Sequence, residues 1–268
     1  MGLLNEYCDA AQEAARRAAV VLEEWRQKFQ VREKGRFDLV TDADVASQKT
    51  IQGYLSGRFP EHAFLGEEDL GPKGRPRADA PPTWIVDPID GTTNYVHDCP
   101  LYCISIGLQI AGELVVGVVL DPSRNEMFHA AKGAGAWINE RPIRTSAVQY
   151  LEESLVATGF PPDVRGNELT FDWWRHFSFK AQSLRRTGST ALNMAYVAAG
   201  RFDAYYAFDN HVWDVAGATV LIQEAGGMIT NVDGSAYDAY TPDALATNGP
   251  LHPLMLAIFE RGLHNLDF

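Results

Sequence analysis

At 268 residues with 46% hydrophobic side chains, the chain can bury a substantial core, as one large domain or two intimately packed ones. Its net charge of −12 argues against a nucleic-acid partner, whose binding relies on basic side chains neutralising phosphates. There is no apolar run long enough for a bilayer, no basic-then-apolar leader, and only three cysteines (Cys8, Cys99, Cys103) in no zinc-type spacing; a cytoplasmic home without membrane contact is expected.

In chain order, residues 3–30 carry apolar positions at helical spacing: Leu3, Leu4, Tyr7, Ala11, Ala14, Ala18, Val21, Leu22 and Trp25. Residues 44–58 read as a second helix ending before Pro60. Pro72, Gly74, Pro76 and Pro81-Pro82 then mark a polar loop. Residues 102–110 and 114–120 are β-rich runs joined by Ala111-Gly112-Glu113, a hairpin signal; another strand is expected near 126–130, ahead of a glycine-rich turn. From about residue 150 strands and helices alternate: 154–159, 171–180, 183–186, 189–200, 203–207, 214–225 and 228–231. A meander-rich part, residues 1–145, and an alternating part, residues 146–268, predict mixed α and β layers in one compact unit.

Residues 84–95, Trp-Ile-Val-Asp-Pro-Ile-Asp-Gly-Thr-Thr-Asn-Tyr, carry the strongest chemical signal. Apolar residues before Asp87 and Asp90 suggest a strand delivering two carboxylates to its mouth, and Gly91-Thr92-Thr93 suggests a turn onto a helix. Carboxylates bind hard divalent cations, and the free N–H groups of a helix start bind phosphate oxygens. A plain strand end with a capped helix is the competing reading. It leaves the second carboxylate without a structural job. Two further acidic segments, Gly66-Glu67-Glu68-Asp69 and Trp213-Asp214 with Glu224-Ala225-Gly226-Gly227, taken alone read as a solvated cluster and as a helix with Asp214 at its N-cap.

Together and in this order, these three segments closely resemble the inositol monophosphatase family of metal-dependent, lithium-sensitive sugar phosphatases. Asp38-Leu39-Val40-Thr41 with Asp44, and Gly188-Ser189-Thr190-Ala191-Leu192-Asn193, add to the similarity, which runs from about residue 34 to 249. The resemblance implies a layered αβαβα sandwich of the sugar-phosphatase type, a mixed α+β and α/β class. It implies Mg²⁺ as cofactor: one ion on Glu67, Asp87 and the Ile89 carbonyl, a second on Asp87, Asp90 and Asp214, and a third, weaker one on Glu67. Magnesium's preference for oxygen ligands suits such a set. Glu67 and Thr92, with Asp44 accepting a hydrogen bond from Thr92, would orient a metal-activated water. Gly91 and Thr92 would hold the phosphate, and Asp90, Gly188, Ser189 and Thr190 would meet the substrate. A homodimer is the family's common state, and the aromatic residues of 171–179 would suit such an interface.

An acidic cleft repels a phosphate ester until cations fill it, so metal binding is expected to come first. The haloacid-dehalogenase type of phosphatase needs two acids two residues apart; here they are three apart with Pro88 between, which disfavours a phospho-aspartyl intermediate. The expected substrate is a small phosphate ester, inositol monophosphate or a similar sugar or polyol phosphate. One departure bears on that: the family commonly has a substrate-contacting Glu seven residues before the Trp-Asp acid, and this chain has Ala207, with Asp209 two residues on. Fructose 1,6-bisphosphate, histidinol phosphate, a nucleotide 3′-phosphate and NADP therefore stay open as substrates, as does a non-catalytic regulatory protein on the same scaffold. Lys34 lies near a lysine that the family places ahead of Asp44, in a loop one residue shorter, and receives no role.

Overall fold

The computed structural model describes residues 2–69, 75 and 79–262; of the expected loop, Pro72, Gly74 and Pro76 lie outside the described residues. Helix α1 (Gly2–Trp25) leads into a hairpin of β1 (Val31–Gly35) and β2 (Asp38–Thr41), then α2 (Asp42–Arg58). A sheet follows, ordered β3 (Ala63–Gly66), β4 (Thr83–Asp90), β5 (Cys103–Ile110), β6 (Glu113–Asp121), β7 (Glu126–Ala131), β8 (Ala136–Ile138) and β9 (Arg141–Ile143), with the short α3 (Thr92–Val96) between β4 and β5. A second sheet holds β10 (Leu155–Thr158), β11 (Ser183–Arg185), β12 (Ala204–Ala207), β13 (Met228–Thr230) and β14 (Ala244–Thr247) in the order β11-β10-β12-β14-β13. Helices α4 (Glu168–Lys180), α5 (Thr190–Ala198), α6 (Val212–Glu224) and α7 (His252–Arg261) complete the chain.

Three apolar clusters give the layer order. The first joins α1 and α2 to one face of the first sheet, through Ala11, Ala14, Ala18, Leu22, Ile51 and Leu55 against Trp84, Val86 and Ile106. The second packs α5 and α6 between the two sheets. The third covers the far face of the second sheet with α4 and α7, through Trp173, Phe177, Met255 and Phe259. The expected αβαβα sandwich is what forms. Trp173 and Phe177 sit in its core, whereas Phe171 and Phe179 remain exposed.

Several expectations shift in detail. Helix α1 stops at Trp25 rather than continuing to residue 30: the amides of Lys28 and Phe29 both turn back onto the Trp25 carbonyl, and the Phe29 ring leaves the helix line to meet Tyr95 at 5.3 Å. The β1–β2 hairpin gave no sequence signal because all five residues of β1 are exposed and mostly charged, so no alternation is present. Helix α2 begins two residues early, since Thr41 caps it and Asp44 reaches back to the Thr41 amide in a capping box. Strand β14 and helix α7 went unread as well.

Helix α6 lies unusually close to the first sheet. A Cβ built on Gly117 would stand 2.0 Å from the Gly217 carbonyl oxygen, and one on Gly107 would stand 2.8 Å from the Ala216 Cβ. Glycine at these strand positions lets the helix backbone approach, and that approach carries Asp214 toward the mouth of β4. At the other end of α6, the Glu224 carboxylate accepts from the Gly133 and Gly135 amides at 2.9 and 2.8 Å, tying the helix to the β7–β8 turn. The motif's Glu224 thus has a structural task.

Candidate active site

The site begins with a register. Strands β3 and β4 run parallel with Gly66 opposite Val86, so the next residue of each strand, Glu67 and Asp87, emerges at the same level. The Glu67 amide donates to the Val86 carbonyl at 3.0 Å, which holds that pairing. On a regular strand, residues three apart face opposite sides. Here the ladder to β5 slips between Asp87 and Asp90: Asp87 pairs with Ser105 but Asp90 with Cys103, leaving Pro88 and Ile89 opposite Ile104 alone. This bulge, at the proline that cannot donate to a ladder, brings both carboxylates to one side. The Ile89 amide donates to Asp87 Oδ1 at 3.0 Å, and the Ile89 carbonyl accepts from Thr92 Oγ1 at 3.0 Å.

Gly91 then turns the chain with φ of +99° into α3. A Cβ there would meet the carbonyl oxygens of Leu101 at 3.0 Å and Gly188 at 3.2 Å, so a side chain has neither the conformation nor the room. Thr92 Oγ1 also lies 3.1 Å from Asp44 Oδ1. Asp44 is fully buried, and its other oxygen accepts from the Thr41 amide and hydroxyl at 2.7 and 2.6 Å. Alone in the sequence it resembled a solvated residue; the fold turns it into a strut between α2 and α3.

Asp90 is received by the start of α5. Its Oδ2 accepts from Ser189 Oγ at 2.7 Å, the Ala191 amide at 2.6 Å and the Cys103 thiol at 3.6 Å, and its Oδ1 accepts from the Thr190 amide at 3.0 Å. Ser189 and Thr190, expected to face substrate, hold Asp90 in place. Gly188, at φ of +88°, sits against the Asn94 amide, which donates to the Leu101 and Thr187 carbonyls. Asp214 comes from the first turn of α6. It is not the N-cap as expected: His211 takes that position, and the Asp214 carboxylate reaches back to accept from the His211 amide at 2.7 Å. His211 itself stacks on Trp213, with ring centroids 4.6 Å apart.

These acids crowd one another. Burial pushes the Asp87 carboxyl well above its ordinary range, and the charges of Glu67, Asp90 and Asp214 push it further. Asp214 is raised by burial and then by Asp90, with Glu67 and the exposed Asp209 adding to it. Burial lifts Asp90 to about 6 against the pull of its four donors, and Asp44 to about 7 against its bonds to Thr41. A cation of the protein's own already answers part of this charge. The Lys34 ammonium, at the end of the β1 strand, stands 2.7 Å from Glu67 Oε1 and also bridges to Glu68. Burial lowers its pKa, but the two glutamates outweigh that and hold it above the usual lysine range.

Among the described residues, no three Asp, Glu, His or Cys side chains already converge as a finished ligand set. Both Asp90 oxygens, one Asp214 oxygen and one Glu67 oxygen are instead engaged by protein donors. The donor chemistry nevertheless fits magnesium. Oxygen is the only ligand type offered, the carboxylates are close enough to resist ionising together, and a divalent ion removes that repulsion. Glu67, Asp87, Asp90, Asp214 and the Ile89 carbonyl are the residues that would hold it.

A profile of the inositol monophosphatase family matches residues 3–264. The chain belongs to the inositol monophosphatase family. Inositol monophosphatase 3 of Solanum lycopersicum is 41% identical over 254 residues, which cover 93% of this chain and 95% of that one. Nus factor SuhB of Pseudomonas aeruginosa is 40% identical over 210 residues, 76% of each chain. The solved inositol monophosphatase of Anabaena (Nostoc) sp. superposes with a TM-score of 0.87 at 37% identity, covering 96% of both chains. As a member of the inositol monophosphatase family, the protein is a hydrolase of phosphate monoesters. Among the described residues no helix is long and apolar enough to cross a membrane.

Within this inositol monophosphatase fold, Lys34, which receives no role from the sequence alone, meets Glu67 and Glu68, and Cys103 escapes sequence reasoning because it lies in an apolar run that reads only as core.

Proposed function

We propose that this protein is a magnesium-dependent phosphatase of inositol monophosphate or a similar small sugar or polyol phosphate. The observation that carries this reading is the parallel β3–β4 register together with the bulge in the β4–β5 ladder, which brings Glu67, Asp87 and Asp90 near one another and near Asp214. Bound magnesium would neutralise phosphate charge and make water more acidic. Asp87, Asp90 and Asp214, with Glu67 and the Ile89 carbonyl, would hold the ions, and Glu67 would also meet a third, weaker one. The amides of Gly91 and Thr92 receive the phosphoryl oxygens. Thr92, kept in orientation by Asp44, and Glu67 align a water on phosphorus opposite the ester oxygen. The new P–O bond forms as the ester P–O bond breaks, the attacking water gives a proton to Glu67, and the leaving alkoxide takes a proton from a second water and departs as the alcohol. Positioning and charge neutralisation provide most of the rate enhancement in such a transfer.

We further infer a homodimer, for which the exposed Phe179 and Phe171 of α4 offer apolar surface; light scattering at micromolar concentration tests it. A regulatory role on the same scaffold has the likeness to SuhB in its favour, and the retention of Glu67, Asp87, Asp90, Thr92 and Asp214 against it.

The test is phosphate release from inositol 1-phosphate, fructose 1,6-bisphosphate, histidinol phosphate, a nucleotide 3′-phosphate and NADP, each with magnesium and with chelator. Magnesium-dependent preference for inositol 1-phosphate is expected. Preference for another ester would reassign the substrate, and silence on all five despite bound metal would favour the regulatory role.

Metal binding has a readout of its own. At a hundred times its Kd, a ligand of the folded state alone adds about 2.7 kcal/mol. For a chain of this size that is a rise in Tm of roughly 5–10 °C. Magnesium chloride is expected to produce such a rise, and potassium chloride at equal ionic strength is not. Equal shifts from both salts would remove the carboxylate cluster as a divalent site.

A further inference from the structure

Beside the acids lies a neutral hydrogen-bonded chain that the mechanism above does not use. Thr190, whose amide holds Asp90, places its Oγ1 3.0 Å from the Tyr205 hydroxyl. That hydroxyl donates to Asn210 Oδ1 at 3.1 Å. Asn210 immediately precedes His211, whose amide holds Asp214. The chain therefore spans the gap between two of the expected metal ligands, at the level of the site.

Its last member is incomplete. Asn210 is 8% exposed, yet its Nδ2 has no hydrogen-bond partner. A buried amide donor left unpaired is costly, and turning the amide over would only orphan its oxygen instead. Gly159 has no side chain, and a Cβ there would stand 2.8 Å from the Tyr205 hydroxyl and 3.3 Å from the Ala207 Cβ. Ala207, where the family commonly carries a carboxylate, offers only a methyl group, while Gly188 and Asp209 on the rim are exposed.

We propose that Asn210 Nδ2, steadied by Thr190 and Tyr205, donates a hydrogen bond to an oxygen of the substrate's alcohol portion and so sets which phosphate esters this enzyme prefers. This rests on the phosphomonoesterase reading above and adds the specificity residue to it. A carboxylate at this place would select a hydroxyl hydrogen; an amide N–H selects a lone pair. Hydroxyl and ether oxygens of a polyol or sugar phosphate supply one, whereas the ring of an aryl phosphate does not. Binding the substrate completes the amide, and an ester without such an oxygen leaves it unpaired, which is how a polar site discriminates.

The experiment compares kcat/KM for inositol 1-phosphate with that for phenyl phosphate in wild type, Asn210→Leu and Tyr205→Phe. In Asn210→Leu the ratio of the two is expected to fall roughly tenfold or more, through KM for inositol 1-phosphate. Tyr205→Phe keeps the amide but releases its hold, and a smaller fall in the same direction is expected. An equal loss on both esters would make Asn210 structural and overturn the proposal, as would an unchanged ratio. Wild type hydrolysing the aryl ester but not inositol 1-phosphate would also overturn it. Wild type inert on both would remove the phosphatase reading itself, and this proposal with it.

Discussion

Asp90→Asn is expected to lower turnover about a thousandfold with magnesium present, the scale on which removing a preorganised charge at a phosphoryl-transfer site acts. Stability should change far less, because two effects oppose each other. Each Asp90 oxygen accepts from a backbone amide, Thr190 on Oδ1 and Ala191 on Oδ2, so an asparagine must turn its NH₂ toward one of them. Leaving that amide unpaired costs about 1–3 kcal/mol. Against it, the substitution removes one of the charges that push Asp87 and Asp214 upward. The metal-free variant is therefore expected to show an unchanged far-ultraviolet spectrum and a Tm within a few degrees of wild type. Steady-state phosphate release and a thermal melt check both halves. A variant that keeps a tenth of wild-type turnover would remove Asp90 from the metal ligands. A variant that fails to fold would show its hydrogen bonds to α5 to be the larger effect.

Gly117→Ala, well outside the site, should be the most damaging single methyl group in the chain. Its Cβ would lie 2.0 Å from the Gly217 carbonyl oxygen and 3.0 Å from the Val220 Cβ, both on α6. Neither the helix backbone nor the buried strand can yield cheaply. Gly217 is itself confined, since a Cβ there would lie 2.9 Å from the Val118 carbonyl oxygen. Overpacking of a well-filled core costs typically about 1–3 kcal/mol, and a contact with backbone on both sides belongs at or above the top of that range. A loss of roughly 3 kcal/mol corresponds to a Tm lower by about 6–12 °C in a chain of this size. Any folded remainder should bind magnesium more weakly, because α6 must retreat from the first sheet and take Asp214 with it. Calorimetry of the variant with and without magnesium reads both effects. A Tm within one or two degrees of wild type would mean that the α6–sheet contact is softer than its geometry implies.

Residues close together in the sequence carried most of what could be read from it. The apolar run into Asp87, the three-residue step to Asp90, the Gly91-Thr92 turn and the alternation of the C-terminal half all act over short range, where hydrophobic periodicity and turn chemistry operate. They pointed to Asp87 and Asp90 as candidate ligands, whereas Glu67, Asp44, Asp214 and the layered fold needed the resemblance. Errors occurred where local signals were silent or shared. The exposed β1 strand has no alternation, and Asp214 in the first turn of α6 carries the same cap-like signature as an N-cap.

Only the tertiary structure decided what those acids meet. The β4 bulge brings Asp87 and Asp90 to one side, which an ordinary strand would deny them. Lys34 reaches Glu67 and Glu68 from a separate hairpin, and Ser189 reaches Asp90 across the sandwich. Asp44 becomes buried because α2 packs beside β4, and Asp214 arrives because Gly117 and Gly217 let α6 come close. The unpaired amide of Asn210 exists only where β12 ends beside α5. Strand order, bulges and helix–sheet approach distances arise from packing between segments far apart in the chain, and no short stretch of sequence contains them.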